Sequence, residues 1–379
     1  MSFAGAPRAL ELEITLQRRV NVVPEHAFPL CIILADEKTL PWFYENYVQV
    51  YSLHLMREKA DGFSRVVAPD AAAGATVETV VLHFFARPAK SWLKQWRPKD
   101  FLGSDPEDIF DFAVRTLNAG CYLRVELNEF HLPSKQAYGR YNFVHPSLVY
   151  GYDHDAREFL GIGFNEQGFF AKQVFGYDDF ARAYASAREM AARDWPEKPL
   201  LLLFKNVPPR DPYPFSVGRF LGELRDYLDA RVGSDRAYPF LDDLPPGARE
   251  RQMIKFGYGV YEHFELGLGH LLAGRKTMSY NAAHLLYEHK RVLADAFRFV
   301  VSEHKLGGRA AELLQEFEKV AHRFHVARSK FLRYDFTKKT GLLAEAGDIV
   351  ASAKVEEREL LLRLHDRIQK DCRGADSLR

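Results

Sequence analysis

The chain has 379 residues, of which 47% are hydrophobic and 27% charged, with 52 basic and 51 acidic side chains. This length accommodates more than one core, and the near-zero net charge argues against broad capture of nucleic acid or of anionic membranes, which needs clustered Lys and Arg. No apolar stretch reaches the roughly 18 residues that span a bilayer, and the first twenty residues lack the apolar core of a secretory signal. We therefore expect a cytoplasmic protein that binds neither nucleic acid nor membrane.

The three cysteines are widely spaced and odd in number, and no CxxC pair occurs; they are Cys31, Cys121 and Cys372. This usage favours free thiols over a disulfide framework or a zinc site. We expect no metal and no bound cofactor.

The N-terminal half mixes strands and helices. Thr76 to Phe85 and Cys121 to Phe130 alternate or are rich in β-branched and aromatic residues, which predicts strands. Ser104 and Glu107 have capping-box spacing and predict a helix that runs to about Asn118. The sequence also predicts an aromatic-rich helix from Thr39 (TLPWFYENYVQVYSLHLM), a helix from Asp178 and a buried strand over Pro199 to Val207.

A Pro-rich connector, Pro208 to Ser216, is followed by segments with a helical period. They predict helices at about 216–232, 248–272, 280–305, 309–333 and 347–371. We therefore expect an α+β domain over 1–207 and an all-α helical bundle over 208–379.

Two strand-like runs, Phe143 to Tyr152 and Arg157 to Phe164, flank the turn-forming cluster Asp-His-Asp-Ala. A turn centred on Asp155 pairs residues whose numbers sum to 310, so that His145 faces Asn165 with Cβ atoms roughly 5 Å apart. An Asn amide there could hold an imidazole in one tautomer, as the third member of a catalytic triad does. A slip of one residue would separate the two side chains, and a structural histidine is the alternative.

Several motifs resemble proteins related to butirosin biosynthesis protein H. They are "GCYLRVELNEFHLP", "NFVHPSLVYGYD", "FLGIGF", "YDDFARAY" and, in the helical half, "HLLYEHKRVLADAF" from His284. That family has a papain-like N-terminal domain, often a helical C-terminal region, and occurs in natural-product gene clusters that include nonribosomal peptide synthetases.

The resemblance implies acyl transfer from a carrier-protein thioester to an amine through a cysteine thiolate. It places the family histidine at His145 and the orienting residue at Asn165, with Asp153 as an alternative that looks like a turn residue. The nucleophile would be Cys31, because Pro29 at the first helical position would put Cys31 in the first turn, where the helix dipole lowers a thiol pKa. Its apolar neighbours are typical of a core cysteine instead.

The leading hypothesis is thus a papain-like acyltransferase of secondary metabolism with Cys31, His145 and Asn165 as the catalytic residues. Its partners would be an acyl or peptidyl carrier protein, which brings phosphopantetheine as part of the donor, and an amine-bearing acceptor. One alternative is a catalytically silent papain-like scaffold that binds a synthetase or carrier protein, and a further one is a cysteine peptidase. His284 with Glu288, and His322 with His325, fit polar clusters better than metal sites because their spacing matches no zinc motif.

Overall fold

The computed structural model of the chain describes residues 7–60, 63–67, 76–86, 92–195, 199–232 and 253–376. It is a mixed α+β protein with antiparallel sheets and a helical C-terminal region. The helices are α1 (Pro24–Ile33), α2 (Leu40–Asn46), α3 (Lys99–Leu102), α4 (Ile109–Asn118), α5 (Tyr177–Asp194), α6 (Val217–Leu228), α7 (Val260–Leu272), α8 (Tyr280–Glu303), α9 (Arg309–Thr337) and α10 (Gly341–Asp376). The strands are β1 (Ala9–Glu11), β2 (Val50–Ala60), β3 (Phe63–Val67), β4 (Thr76–Phe84), β5 (Leu93–Trp96), β6 (Tyr122–Asn128), β7 (Val144–Asp153), β8 (Glu158–Phe164), β9 (Phe170–Gly176), β10 (Leu201–Asn206) and β11 (Ile254–Phe256).

The first compact unit comprises Met1–Thr39 and Pro88–Pro212. Its antiparallel sheet has the order β5-β10-β6-β7-β8-β9, and β1 pairs with β7. Side chains alternate between the two faces of a strand. On one face Leu123, Val125 and Leu127 of β6 form a core with residues of α4 and α5.

Helix α1 packs on the opposite face of this sheet. Phe28 of α1 stacks on Phe170 of β9 with ring centroids 5.9 Å apart. Arg124, one residue from Leu123 and therefore on the other side of β6, lies 3.6 Å from Glu25 of α1. The two faces of the sheet are thus covered by different helices.

The second compact unit comprises Leu40–Arg87 and Tyr213–Arg379. It holds a small antiparallel sheet of order β11-β2-β3, with β4 also paired to β2, together with α2 and α6 to α10. Aromatic and aliphatic side chains spaced three or four residues apart, such as Phe317, Val320 and Phe324 of α9, are buried. Among the described residues, no helix combines the length and the apolar character needed to cross a membrane.

Several elements differ from their predicted form. The boundary between units falls a few residues after position 207, but residues 40–87 belong to the second unit rather than to the predicted first domain. The aromatic run from Thr39 is helical only to Asn46 and then continues as β2. Helix α4 begins after Asp108, whose carboxylate accepts from the Asp111 backbone N–H, so the cap is four residues downstream of Ser104.

Candidate functional site

His145 lies at the start of β7, where its side chain remains 22% exposed. In the sheet register it is paired with Leu127 of β6. Its ring stacks on that of Phe143, with centroids 5.3 Å apart and planes 14° apart, and Phe143 is itself 45% exposed. The imidazole therefore lies at the beginning of an interior strand, partly in solvent and backed by an aromatic ring.

A buried carboxylate faces this imidazole. Glu129 Oε1 lies 3.5 Å from His145 Nδ1, and the Glu129 side chain is only 7% exposed. At this separation the pair is an electrostatic contact longer than an ordinary hydrogen bond. Nδ1 is buried and has no hydrogen-bond partner among the described residues, so Glu129 is the group that can orient the ring.

The turn that carries Glu129 is fixed by Asn128. Residues Glu129–His131 form a single 3₁₀ turn directly after β6, and the Asn128 side-chain oxygen accepts from the Phe130 backbone N–H. The same oxygen accepts from the Phe143 N–H at 3.1 Å, and the Asn128 amide donates to Ser186 Oγ of α5 at 2.9 Å. Asn128 thereby ties the turn to the residues that precede His145.

A fully buried lysine completes the arrangement. Lys135 Nζ donates to the Phe164 carbonyl at 2.8 Å and to Ser147 Oγ at 3.3 Å, and it lies 3.6 Å from Glu129 Oε1. Burial lowers the pKa of the Lys135 ammonium to about 8, while the Glu129 carboxylate opposes this shift. We call Glu129, Lys135, His145 and Ser147 the His145 cluster.

The His145 cluster combines the parts of a general base. A carboxylate beside one imidazole nitrogen favours a proton on that nitrogen and leaves the other nitrogen as an acceptor. The carboxylate also stabilises the imidazolium that forms when the ring takes up a proton. The arrangement can therefore accept a proton from a substrate and return it, provided the substrate reaches the exposed part of the ring.

Asn165 and Asp153, the two predicted orienting residues, both stabilise turns. Asn165 Oδ1 accepts from the backbone N–H groups of Gln167 and Phe169, at 3.1 and 2.8 Å. Asp153 Oδ1 accepts from the N–H groups of Asp155 and Ala156. Asp153 is also eight residues along β7 from His145, about 26 Å for an extended strand.

The predicted register is confirmed in part. Val149 pairs with Gly161, so their residue numbers add up to 310 as predicted. A bulge after Val149 shifts the pairing by one residue, and the pairs nearer the turn add up to 311. The strand surface at Gly161 and Gly163 of β8 is covered by neighbouring side chains. A Cβ at Gly161 would overlap the Phe175 ring, and one at Gly163 would lie 2.9 Å from Lys135 Nζ, so side chains fill both places.

Cys31 does not have the helical position that its predicted role needs. The ten-residue helix α1 begins at Pro24, and Pro29 lies inside it. Cys31 is therefore in the last turn of the helix rather than in the first. The carbonyl end of a helix dipole disfavours a thiolate. Cys31 is fully buried, and this burial raises the pKa of its thiol to about 12.

The register also separates Cys31 from His145. His145 pairs with Leu127 and so points to the α4 and α5 face by strand alternation. Phe28, one helical turn from Cys31, packs on Phe170, and Phe170 pairs with Phe164 on the other face. At the end of β8, the centroid of the His145 ring is 5.7 Å from that of Phe164.

We expect Cys31 to resist alkylation in the folded protein. A pKa of about 12 gives a thiolate fraction at pH 8 on the order of a thousandfold below that of an ordinary cysteine. Iodoacetamide at pH 8 should label the partly exposed Cys372 first, and Cys31 only after unfolding in urea. Peptide mass spectrometry over time measures this, and rapid labelling of Cys31 without urea would restore it as a candidate nucleophile.

Glu129 and Lys135 were not identified from the sequence as functional residues. Glu129 directly follows Asn128, the last residue of β6, and two polar residues in succession at the end of a buried strand are a usable signal. Lys135 lies in a loop between the 3₁₀ turn and β7 and has no distinguishing pattern. Within the part of the chain that the structure describes, no group of His, Cys, Asp or Glu side chains could hold a metal ion.

Comparison of the sequence with protein-family models and with curated proteins identifies no relative of this chain. No protein-family model matches the chain, and no curated protein matches it significantly. The resemblance to the butirosin biosynthesis protein H family therefore rests on the sequence motifs around His145 and in the helical half.

Proposed function

We propose that this protein is an acyltransferase of secondary metabolism that moves an acyl or peptidyl group from a carrier-protein thioester to an amine, on a papain-like first unit. The observation that carries the proposal is the contact between Glu129 Oε1 and His145 Nδ1 at a partly exposed ring. In this proposal His145 is the general base and Glu129 orients it, in place of the Cys31, His145 and Asn165 triad.

The chemical step needs no enzyme nucleophile. The acceptor amine attacks the thioester carbonyl carbon, and His145 Nε2 takes the proton that the amine loses as the C–N bond forms. The C–S bond then breaks, and the imidazolium returns the proton to the departing thiolate, so the products are an amide and a free thiol. Glu129 stabilises the imidazolium between these two events.

Two features support this proposal over a cysteine mechanism. The motifs that carry the family resemblance surround His145 and include Glu129, in "VELNEF". Cys31, by contrast, is sealed in the core at the carbonyl end of α1. A cysteine peptidase would need the same thiolate, so this position of Cys31 disfavours that alternative as well.

The test uses N-acetylcysteamine thioesters of short and medium acyl chains with a panel of primary amines. We expect amide products in liquid chromatography with mass spectrometry, and no acyl adduct on Cys31 in the intact protein mass when the amine is withheld. An acyl adduct mapped to Cys31 would contradict the direct mechanism. Absence of amide with every thioester, including one on a carrier protein, would contradict the proposed function.

The second candidate is a catalytically silent papain-like scaffold that binds a synthetase or carrier protein. The burial of Cys31 favours it, because a scaffold has no need of a reactive thiol. Binding of a carrier protein without any turnover of its thioester, measured by calorimetry and mass spectrometry on the same sample, would select the scaffold.

A further inference from the structure

We infer that Lys135 is the positioning residue of the His145 cluster: its ammonium holds the Glu129 carboxylate against the His145 ring. The consequence for catalysis rests on the proposed function. The positioning itself is a statement about the imidazole and can be measured without any substrate.

Lys135 joins three separate segments of the first unit at one atom. Its Nζ contacts the Phe164 carbonyl at the end of β8, Ser147 of β7 and Glu129 of the 3₁₀ turn. An ammonium has three donors, and these contacts lie in three parts of the structure. Glu129 Oε1 is therefore placed between two groups, Lys135 Nζ at 3.6 Å and His145 Nδ1 at 3.5 Å.

A purely structural role does not explain this placement well. Burying a lysine ammonium is costly, and a similar volume of apolar side chain usually stabilises a core at least as well. The ammonium does, however, compensate the Glu129 carboxylate, which is itself nearly buried. Without this counter-charge the carboxylate would take up a proton, which weakens it as an acceptor, or turn toward solvent, which removes it from His145.

Gly163 keeps the space that the ammonium occupies. A Cβ at this position would lie 2.9 Å from Lys135 Nζ and 3.2 Å from Ser147 Oγ. Since both atoms are held by hydrogen bonds, a larger residue would displace the lysine head group from its place over the strand. Gly163 thus leaves the room that the lysine head group needs.

The experiment measures the tautomer of His145 by two-bond ¹H–¹⁵N correlation spectra, assigned with His145→Gln. We expect the Nδ1–H form to dominate in the unmodified protein and the Nε2–H form to gain population in Lys135→Met. Amide formation should fall by about 100-fold in the same variant, the scale of loss that follows from a misplaced catalytic group. Lys172→Met is the matched control, because Lys172 lies on β9 and pairs with Glu11 at the surface.

An unchanged tautomer ratio in folded Lys135→Met would overturn the inference. If that variant does not fold, the double variant Lys135→Met with Glu129→Gln is used instead, because it removes both buried charges of the pair together. Because Lys135 acts through Glu129, the double variant should have the same tautomer ratio as Glu129→Gln by itself, and a further change would also overturn the inference. A shifted tautomer together with no transfer activity in any form would reject the proposed function and leave the positioning role standing.

Discussion

Replacing His145 with glutamine is expected to lower the rate of amide formation by about 10²–10⁴-fold, the usual contribution of a general base. Glutamine preserves the approximate length of the side chain but cannot take a proton from the amine. The side chain is partly exposed at the beginning of β7, so the free energy of unfolding should change little. Initial rates with an N-acetylcysteamine thioester measure the first effect, and urea unfolding followed by circular dichroism measures the second.

Cys31→Ala is the control that separates the two mechanisms. It removes the only thiol predicted as a nucleophile, yet we expect a rate within about threefold of the unmodified protein, since uncoupled core changes leave chemistry largely intact. A modest loss of stability should accompany it, because Cys31 is fully buried. A rate that collapses in Cys31→Ala while the protein stays folded would return the reaction to a thiolate mechanism.

The hairpin could be predicted from the sequence because its information is local. A period of two along each run and a polar cluster between them define the strands and the turn, and Val149 does pair with Gly161. The same arithmetic could not identify which group orients His145. Glu129 reaches the ring from a turn after β6, and that approach depends on three-dimensional packing rather than on any spacing in the sequence.

The position of Cys31 shows a second limit. Pro29 suggested a helix start, yet the helix already begins at Pro24, where another proline fits the first turn. Two prolines five residues apart are each compatible with a helix start, and the sequence alone does not choose between them. The choice decides whether Cys31 lies near the N-terminal or the C-terminal end of the helix. The N-terminal end of the helix dipole lowers the pKa of a thiol, whereas the C-terminal end raises it.

The helical half was predicted more fully, but it is not all-α: within the predicted helix 248–272, Ile254–Phe256 form strand β11, which pairs with β2, and only Val260–Leu272 form a helix among the described residues. Helices α8 and α9 lie close to the predicted spans, and α10 contains its predicted span but is longer at both ends. Their apolar residues keep a regular 3.6-residue period over many turns. Their interior polar groups were not predicted, because a charged residue in a helical pattern usually indicates the solvent face. Lys290 and Glu357 are both fully buried and form an ion pair in the second unit.

Lys290→Met is expected to lower the free energy of unfolding by about 3–5 kcal/mol, the usual cost of leaving one member of a buried ion pair alone. Lys290 Nζ contacts Glu357 Oε1 at 2.6 Å, Tyr227 Oη at 2.8 Å and His289 Nδ1 at 2.9 Å. Methionine fills a similar volume but supplies no donor, so the Glu357 carboxylate keeps only neutral partners. Urea unfolding of the full chain followed by near-ultraviolet circular dichroism measures the difference.

The double variant Lys290→Met with Glu357→Gln tests whether the uncompensated charge causes this loss. In the unmodified protein Tyr227 donates to one Glu357 carboxylate oxygen and Tyr261 to the other. The single amide oxygen of the introduced glutamine can accept from one of these tyrosines, so part of the lost stability should return. Lys354 lies on α10, the helix that carries Glu357, and forms a partly exposed ion pair with Glu265. Lys354→Met removes this pair and should lower the free energy of unfolding by no more than about 1 kcal/mol. If Lys290→Met were no more destabilising than Lys354→Met, burial of the pair would not govern the stability of this unit.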